Sequence, residues 1–189
     1  MARLNEFMTR IDLSALADYV VAKGTKVVYA KGNMIVRQGN RCRYLGIVRS
    51  GYFKYVSLNS KDHEVVTGFS FEGDVVTDYV CGFLFDQPSP TSIVAGCEAE
   101  IVRVDIGEVR RHLDEMHPGF VADASSRLLQ EAYGRYLDLL VRTPAERYRD
   151  LISLYPDVTK TLPVQELASY LGVSRRQFHR IREAEGGMF

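Results

Sequence analysis

The 189-residue chain predicts an α+β protein: an antiparallel β-roll (jelly roll), then one long helix, then a C-terminal helix-turn-helix. Three observations predict it. From about residue 25 to 105, short β-rich runs alternate with glycine turns. Residues 119–141 carry apolar residues at helical spacing. Residues 164–182 set a small residue, a turn glycine, a capping serine and apolar anchors where two crossing helices need them.

The elements follow in order. Residues 4–21 predict a helix, capped by Asp12, with Leu13, Leu16, Ala17 and Val20 on one face. The strands expected next are Lys26–Tyr29, Met34–Arg37, Tyr44–Val48, Tyr52–Leu58, Glu64–Phe69, Ser92–Ala95 and Glu100–Val104. Turns fall at Lys31-Gly32-Asn33, Gln38-Gly39-Asn40, Ser50-Gly51, Asn59-Ser60-Lys61-Asp62 and Glu72-Gly73-Asp74. In the long helix, Leu129, Tyr133, Tyr136 and Leu140 recur at 4, 3, 4 spacing, a heptad stripe. Val121, Leu128, Ala132 and Leu139 lie on a neighbouring face. Two apolar faces exceed what one roll can cover, so a second copy of the helix is the expected partner and the chain a homodimer. The competing reading is a helix sandwiched within its own chain.

Thr143-Pro144-Ala145-Glu146 is a capping box with proline at the first helical position. It starts a fresh helix that runs to Tyr155, where Pro156 helps stop it, and a loop over Asp157–Leu162 follows. The restart marks a hinge and a boundary near Arg142. The expected domains are therefore 1–118, the roll with flanking helices; 119–141, the dimerisation helix; and 142–189, the helix-turn-helix.

In the last domain Leu167 and Leu171 share one helix face, and Ala168 is small enough for a second helix to cross closely. Gly172 occupies the turn, Val173 seals the corner and Ser174 caps the second helix. Phe178 and Ile181 anchor that helix inward, which leaves Arg175, Arg176, Gln177, His179, Arg180 and Arg182 outward. From Val173 to Arg182 there are four arginines and no acid. An arginine fork pairs with guanine in the major groove, and glutamine with adenine. The residues expected to touch double-stranded DNA are Ser174, Arg175, Arg176, Gln177, His179 and Arg180. The competing reading is a solvated basic surface helix.

Composition narrows the classes. The chain is 46% hydrophobic and 25% charged, ordinary for a globular protein. Its formal net charge is zero, so nucleic-acid binding must rest on a local basic patch. Cys42, Cys81 and Cys97 are scattered without a CxxC, which points to a reducing compartment and no disulfide framework. No stretch has the length of a membrane span, and Met-Ala-Arg-Leu-Asn-Glu lacks the apolar core of a signal peptide, so a cytoplasmic protein is expected.

Ile35-Val36-Arg37-Gln38-Gly39, Ile47-Val48-Arg49-Ser50-Gly51, Glu72-Gly73-Asp74-Val75-Val76 and Gln165–Arg182, in this order of elements, resemble the cyclic-AMP receptor/fumarate-nitrate regulator (Crp/Fnr) superfamily of bacterial transcription factors. The resemblance covers nearly the whole length. It implies a cyclic-nucleotide-binding-like roll that holds a small effector, a long helix that dimerises, and a second motif helix that enters the major groove. By match to the motif, Arg175, Arg176 and Arg180 fall where the family reads bases, with Gln177 between them. The dimer seam would be Leu128, Leu129, Ala132, Tyr133, Tyr136 and Leu140. The candidate effector pocket is Gly73, Asp74, Thr77, Asp78, Tyr79, Ser89, Thr91, Ser92 and Arg127. RNA polymerase is a further candidate partner.

The chain departs from that pattern in two places. Cyclic-nucleotide members carry Gly-Glu-Leu, whose Glu takes the ribose hydroxyl, and then Arg-Ser, whose Arg neutralises the phosphate. Here Thr77-Asp78-Tyr79 holds the first position, and the second falls within Pro88-Ser89-Pro90, without arginine. No Lys or Arg occurs from Asp62 to Val102, whereas a buried phosphate needs a cation or a cluster of donors. The effector is therefore expected to be something other than cyclic AMP and is otherwise unidentified. An iron–sulfur sensor needs about four clustered cysteines. A haem sensor would need His63, Cys81 or Cys97 as axial ligand, and a lone histidine in a roll is more often a surface residue. The second departure is the wing: after the recognition helix only Glu183–Phe189 remain, so the hairpin wing is expected to be missing or truncated.

Two other classes compete. One is a regulator whose roll is a ligand-independent protein-interaction module. The other is a jelly-roll metal-dependent enzyme, which would need a His-x-His or His-x-Asp pair with further ligands on strands. His63, His112, His117 and His179 do not form one, and Asp62-His63-Glu64 reads as a solvated turn. No catalytic residue, metal ligand or cofactor is expected.

Overall fold

The computed structural model describes residues 13–186. The chain forms two compact units that part between Arg127 and Leu128.

The first unit opens with α1 (Ser14–Lys23). The helix expected over 4–21 is described only from Ser14, with Leu13 non-helical at its N-cap, and ends two residues later than expected; residues 4–12, with Asp12, the expected cap, lie outside the described residues. Leu16 and Val20 are buried and Leu13 and Ala17 pack beside them, the face their spacing predicts. Eight strands follow: β1 (Thr25–Tyr29), β2 (Met34–Val36), β3 (Tyr44–Ser50), β4 (Tyr52–Leu58), β5 (Glu64–Phe71), β6 (Val75–Val76), β7 (Ser92–Ala95) and β8 (Ala99–Asp105). They pair antiparallel into two four-stranded sheets, ordered β1-β8-β3-β6 and β2-β7-β4-β5. Each expected strand is present, with ends moved by at most two residues. Strand β6 was not expected, because two residues are too few for an alternation to show.

Phe53, Ile93 and Ile101, fully buried, fill the space between the sheets. Each contributes roughly 1.5–3 kcal/mol by leaving water. The β3–β4 turn depends on Gly51, whose φ is +73° and where a Cβ would lie 2.5 Å from the carbonyl oxygen of Glu98. Between β6 and β7 a π-helical segment, Tyr79–Leu84, is capped by Asp78, whose Oδ1 accepts the Cys81 N–H at 3.1 Å. Helix α2 (Ile106–Met116) starts where Asp105 accepts the Gly107 N–H at 2.8 Å, and it buries Ile106, Val109 and Leu113 at spacings of three and four.

Helix α3 (Phe120–Val141) begins in the first unit, where Phe120 and Val121 pack on the core and Ala124 is buried, and ends in the second. The second unit adds α4 (Pro144–Leu154), α5 (Val158–Thr161), α6 (Val164–Tyr170) and α7 (Arg175–Gly186). The Thr143 capping box forms as expected, Thr143 Oγ1 accepting the Glu146 N–H and Glu146 Oε2 accepting the Thr143 N–H at 2.8 Å. The stretch expected as a loop over Asp157–Leu162 contains the single turn α5, held by buried Val158 and a 2.8 Å Asp157–Lys160 ion pair. Tyr148, Leu151, Tyr155, Leu162, Leu167, Ala168, Leu171 and Phe178 are all buried in this unit. Among the described residues no helix is long and apolar enough to cross a membrane.

Candidate nucleic-acid interface and effector cradle

Leu167, Ala168 and Leu171 turn one face of α6 inward, all nearly fully buried. Gly172 takes φ +72°, which lets Val173 N–H reach the Ala168 carbonyl at 2.9 Å and close the turn. Ser174 then caps α7. Its Oγ accepts the Gln177 N–H at 3.2 Å, while Gln177 Oε1 accepts both the Ser174 N–H and the Ser174 hydroxyl, each at 2.9 Å. The serine cap is the one its position predicts. The reciprocal glutamine commits the Gln177 oxygen to the cap, and the residue itself is exposed. Phe178 is fully buried, edge-on to Tyr148 at 5.3 Å, and Ile181 is half-buried. Arg175, Arg176, His179, Arg180 and Arg182 are all exposed. A local cationic face therefore exists on a chain of zero net charge.

Sequence reasoning overlooked the arginines that hold this motif. Arg149 Nε pairs at 3.1 Å with Glu185, a buried acid on α7. The Arg135 guanidinium stacks 4.0 Å over the Tyr170 ring. Arg147 donates to backbone carbonyls on both sides of it. A basic residue inside a helix reads from sequence as solvated, and no periodic signal marks a partner more than ten residues away.

On α3, Leu129, Tyr133, Tyr136 and Leu140 are 56–70% exposed, with Leu139 and Val141 beside them. Ala132 is exposed and Leu128 half-buried. A contiguous strip of this kind in a single chain marks an interaction surface.

In the roll, the candidate pocket residues are largely engaged with one another and with the backbone. Gly73 makes the turn at φ +86°, and buried Asp74 accepts the Phe71 N–H at 2.9 Å. The Thr77 hydroxyl donates to the Tyr44 carbonyl at 3.1 Å. Tyr55 donates to the Thr77 carbonyl at 3.1 Å and lies 3.3 Å from Ser70 Oγ. Burial pushes its phenol up to about 12, against the lowering effect of those bonds. Asp78 caps the π-helical segment. Tyr79 stacks on Phe83 at 5.3 Å and reaches α3. Ser89 donates to the Thr91 carbonyl at 2.7 Å, and Ser92 Oγ accepts the Gln38 N–H at 2.9 Å. Arg127 is exposed on α3. A cation on the segment was also overlooked: Arg110 of α2 donates to the carbonyls of Gly82 (3.1 Å) and Phe83. Its charge is spent on the backbone of the segment. The residues present therefore do not fit a cyclic phosphate: hydroxyls are bonded internally, carboxylates border the segment, and the adjacent guanidinium is occupied.

Cys42, Cys81 and Cys97 are free thiols. Among the described residues no three His, Cys, Asp or Glu side chains gather in a metal-holding group.

A two-sheet roll with a capped segment after its sixth strand, followed by one long helix and a helix-turn-helix, defines a two-part fold. Residues 26–116 match the cyclic nucleotide-binding domain family, and in fold the chain resembles the Crp/Fnr superfamily. Similar solved structures include the c-di-GMP-responsive global regulator CLP of Xanthomonas campestris, 17% identical over 93% of this chain and 92% of that one, with a TM-score of 0.66. FixK2 of Bradyrhizobium japonicum is 16% identical over 86% of each chain, TM-score 0.68. The catabolite activator protein of Thermus thermophilus is 21% identical over 90% and 82%, TM-score 0.54. No curated protein sequence matches the chain.

Proposed function

We propose that the chain is a cytoplasmic, dimeric, sequence-specific DNA-binding transcription regulator of the Crp/Fnr type, not an enzyme. The observation that carries this reading is α7: a capped helix, pinned by fully buried Phe178, with Arg175, Arg176, His179 and Arg180 all facing solvent. Arg176 and Arg180 share a face and read base edges; Arg175, beside the positive helix N-terminus, reads a base or holds a phosphate. Two copies joined along the Leu129–Tyr133–Tyr136–Leu140 stripe present their α7 helices about 34 Å apart, one turn of DNA.

The effector is a molecule other than cyclic AMP, since no Lys or Arg occurs from Asp62 to Val102 and the Arg110 guanidinium beside the segment is spent on the Gly82 and Phe83 carbonyls. The internal bonding of Thr77, Ser89 and Ser92 also supports a second reading, in which the roll contacts another protein, RNA polymerase among the candidates, without a ligand.

Selection from random duplexes followed by gel shift tests the main reading. The expected result is a two-fold-related site. Arg176→Ala and Arg180→Ala are each expected to relax one base position, at a cost of about 1–3 kcal/mol. Unchanged site preference in both variants would reject the base-reading assignment.

A further inference from the structure

We propose that Arg147 is a positioning residue that braces the recognition helix against the dimer helix and thereby sets the half-site spacing the protein accepts, while leaving the bases of each half-site to α7. The inference rests on the DNA-binding reading above.

All the parts belong to the second unit. Arg147 sits in the first turn of α4, at the joint where a fresh helix follows the end of α3. Its Nη1 donates to the Arg142 carbonyl at 2.7 Å and more distantly to the Asp138 carbonyl at 3.4 Å, two acceptors at the end of α3. Its Nη2 donates to the Leu171 carbonyl at 2.7 Å, in the turn that launches α7. The C-terminal ends of α3 and α6, each with carbonyls no longer used inside a helix and each at the negative pole of its dipole, thus converge on one cation. The guanidinium is planar, with its donors in a rigid fork, so it fixes an angle as well as a distance. Lysine would supply the charge without the angle. A Cβ at Gly172 would lie 4.0 Å from Nη2, which places the guanidinium directly against the motif's turn.

A second tie runs parallel to it. Arg135, on α3, stacks 4.0 Å over Tyr170, the last residue of α6. Arg142 itself pairs with Asp138 at 3.8 Å and with Asp150 of α4. The joint at Arg142-Thr143, which the sequence marks as a hinge, is therefore cross-braced from α3 to the turn before α7. The exposed stripe that would form the dimer seam lies on the same helix that Arg147 and Arg135 hold. Whatever angle this brace enforces is applied twice across the two-fold axis. One base pair added between half-sites turns the second by about 35° and moves it about 3.4 Å, so a rigid brace discriminates strongly against it.

The test uses the full-length chain and the duplex it selects, together with duplexes lengthened and shortened by one central base pair. Wild type is expected to disfavour the altered spacings by about tenfold or more. R147Q, verified as folded by its melting transition, is expected to narrow that ratio to below about threefold while the base preference within each half-site stays as in wild type. A uniform loss across all three spacings, with the ratio preserved, would show a merely structural role and overturn the proposal. Should R147Q fail to fold, R135A loosens the parallel tie without removing a buried hydrogen-bond donor and is read the same way. If wild type selects no duplex at all, the DNA-binding reading fails instead. The brace is then judged by hydrogen exchange in R147Q: amides of 139–142 and 172–174 speeding up together support it, and faster exchange confined to 142–147 refutes it.

Discussion

The Tyr79 hydroxyl lies 2.9 Å from Ser125 Oγ and donates to the Val121 carbonyl at 3.2 Å. The residue after the Asp78 cap is thereby tied to the first turns of α3. Tyr79→Phe keeps the stack on Phe83 and removes these bonds, while Ser125 keeps its own 2.7 Å bond to the Val121 carbonyl. The expected loss is about 1 kcal/mol of unfolding free energy, measured by urea titration. A neutral substitution would mean that water replaces the bond in full.

Alkaline unfolding should report Tyr55. Burial disfavours the phenolate and pushes its phenol up to about 12, from 10.0 for an unburied tyrosine. Below about pH 10 both states hold the proton and the packing of Tyr55 contributes fully. Between about pH 10 and 12 the unfolded chain releases a proton that the folded chain retains, so stability falls as pH rises. The wild-type loss over that window should exceed that of Tyr55→Phe, and equal slopes would refute the burial of this hydroxyl.

Tyr136→Glu and Leu140→Glu each place a charge in the exposed stripe of α3. Wild type is expected to sediment as a dimer with a melting midpoint that rises with protein concentration. Each variant is expected to sediment as a monomer with a concentration-independent midpoint. Retention of the dimer by both would move the interface elsewhere.

Ser174→Ala removes the hydroxyl that accepts the Gln177 N–H. The start of α7 should fray, at a cost of about 1 kcal/mol. Faster amide exchange at 175–178 with unchanged exchange in the roll is the expected signature.

Cyclic AMP and cyclic GMP are expected to leave the thermal midpoint unchanged. A ligand at about 100 times its dissociation constant adds about 2.7 kcal/mol, several degrees for a protein of this size. Such a shift with either nucleotide would overturn the reading of the segment after β6, whereas a shift with cell extract alone would lead to a different effector.

The elements that sequence made legible are those set by local chemistry. The Thr143-Pro144-Ala145-Glu146 box, the turn at Gly172 and the Ser174 cap were readable because each is decided within four residues by sterics and backbone hydrogen bonds. The strands between residues 25 and 105 were readable from alternation, which needs four or more residues and so passed over Val75–Val76. Helix α2 carries a clear period at Ile106, Val109 and Leu113 and could have been found by the same count.

By itself, then, the sequence determined the order of elements, the caps and turns between them, the apolar faces, and a cationic helix on a chain of zero net charge. Tertiary structure alone decided what the arginines do. Arg110, Arg135, Arg147 and Arg149 look alike along the chain, yet each is claimed by a partner brought from afar: the Gly82 and Phe83 carbonyls, the Tyr170 ring, the Leu171 carbonyl and Glu185. Arg175, Arg176 and Arg180 remain exposed. The reason is physical. A long charged side chain has no periodic preference of its own, and its role depends on which acceptors lie within a few ångströms once the chain has closed on itself.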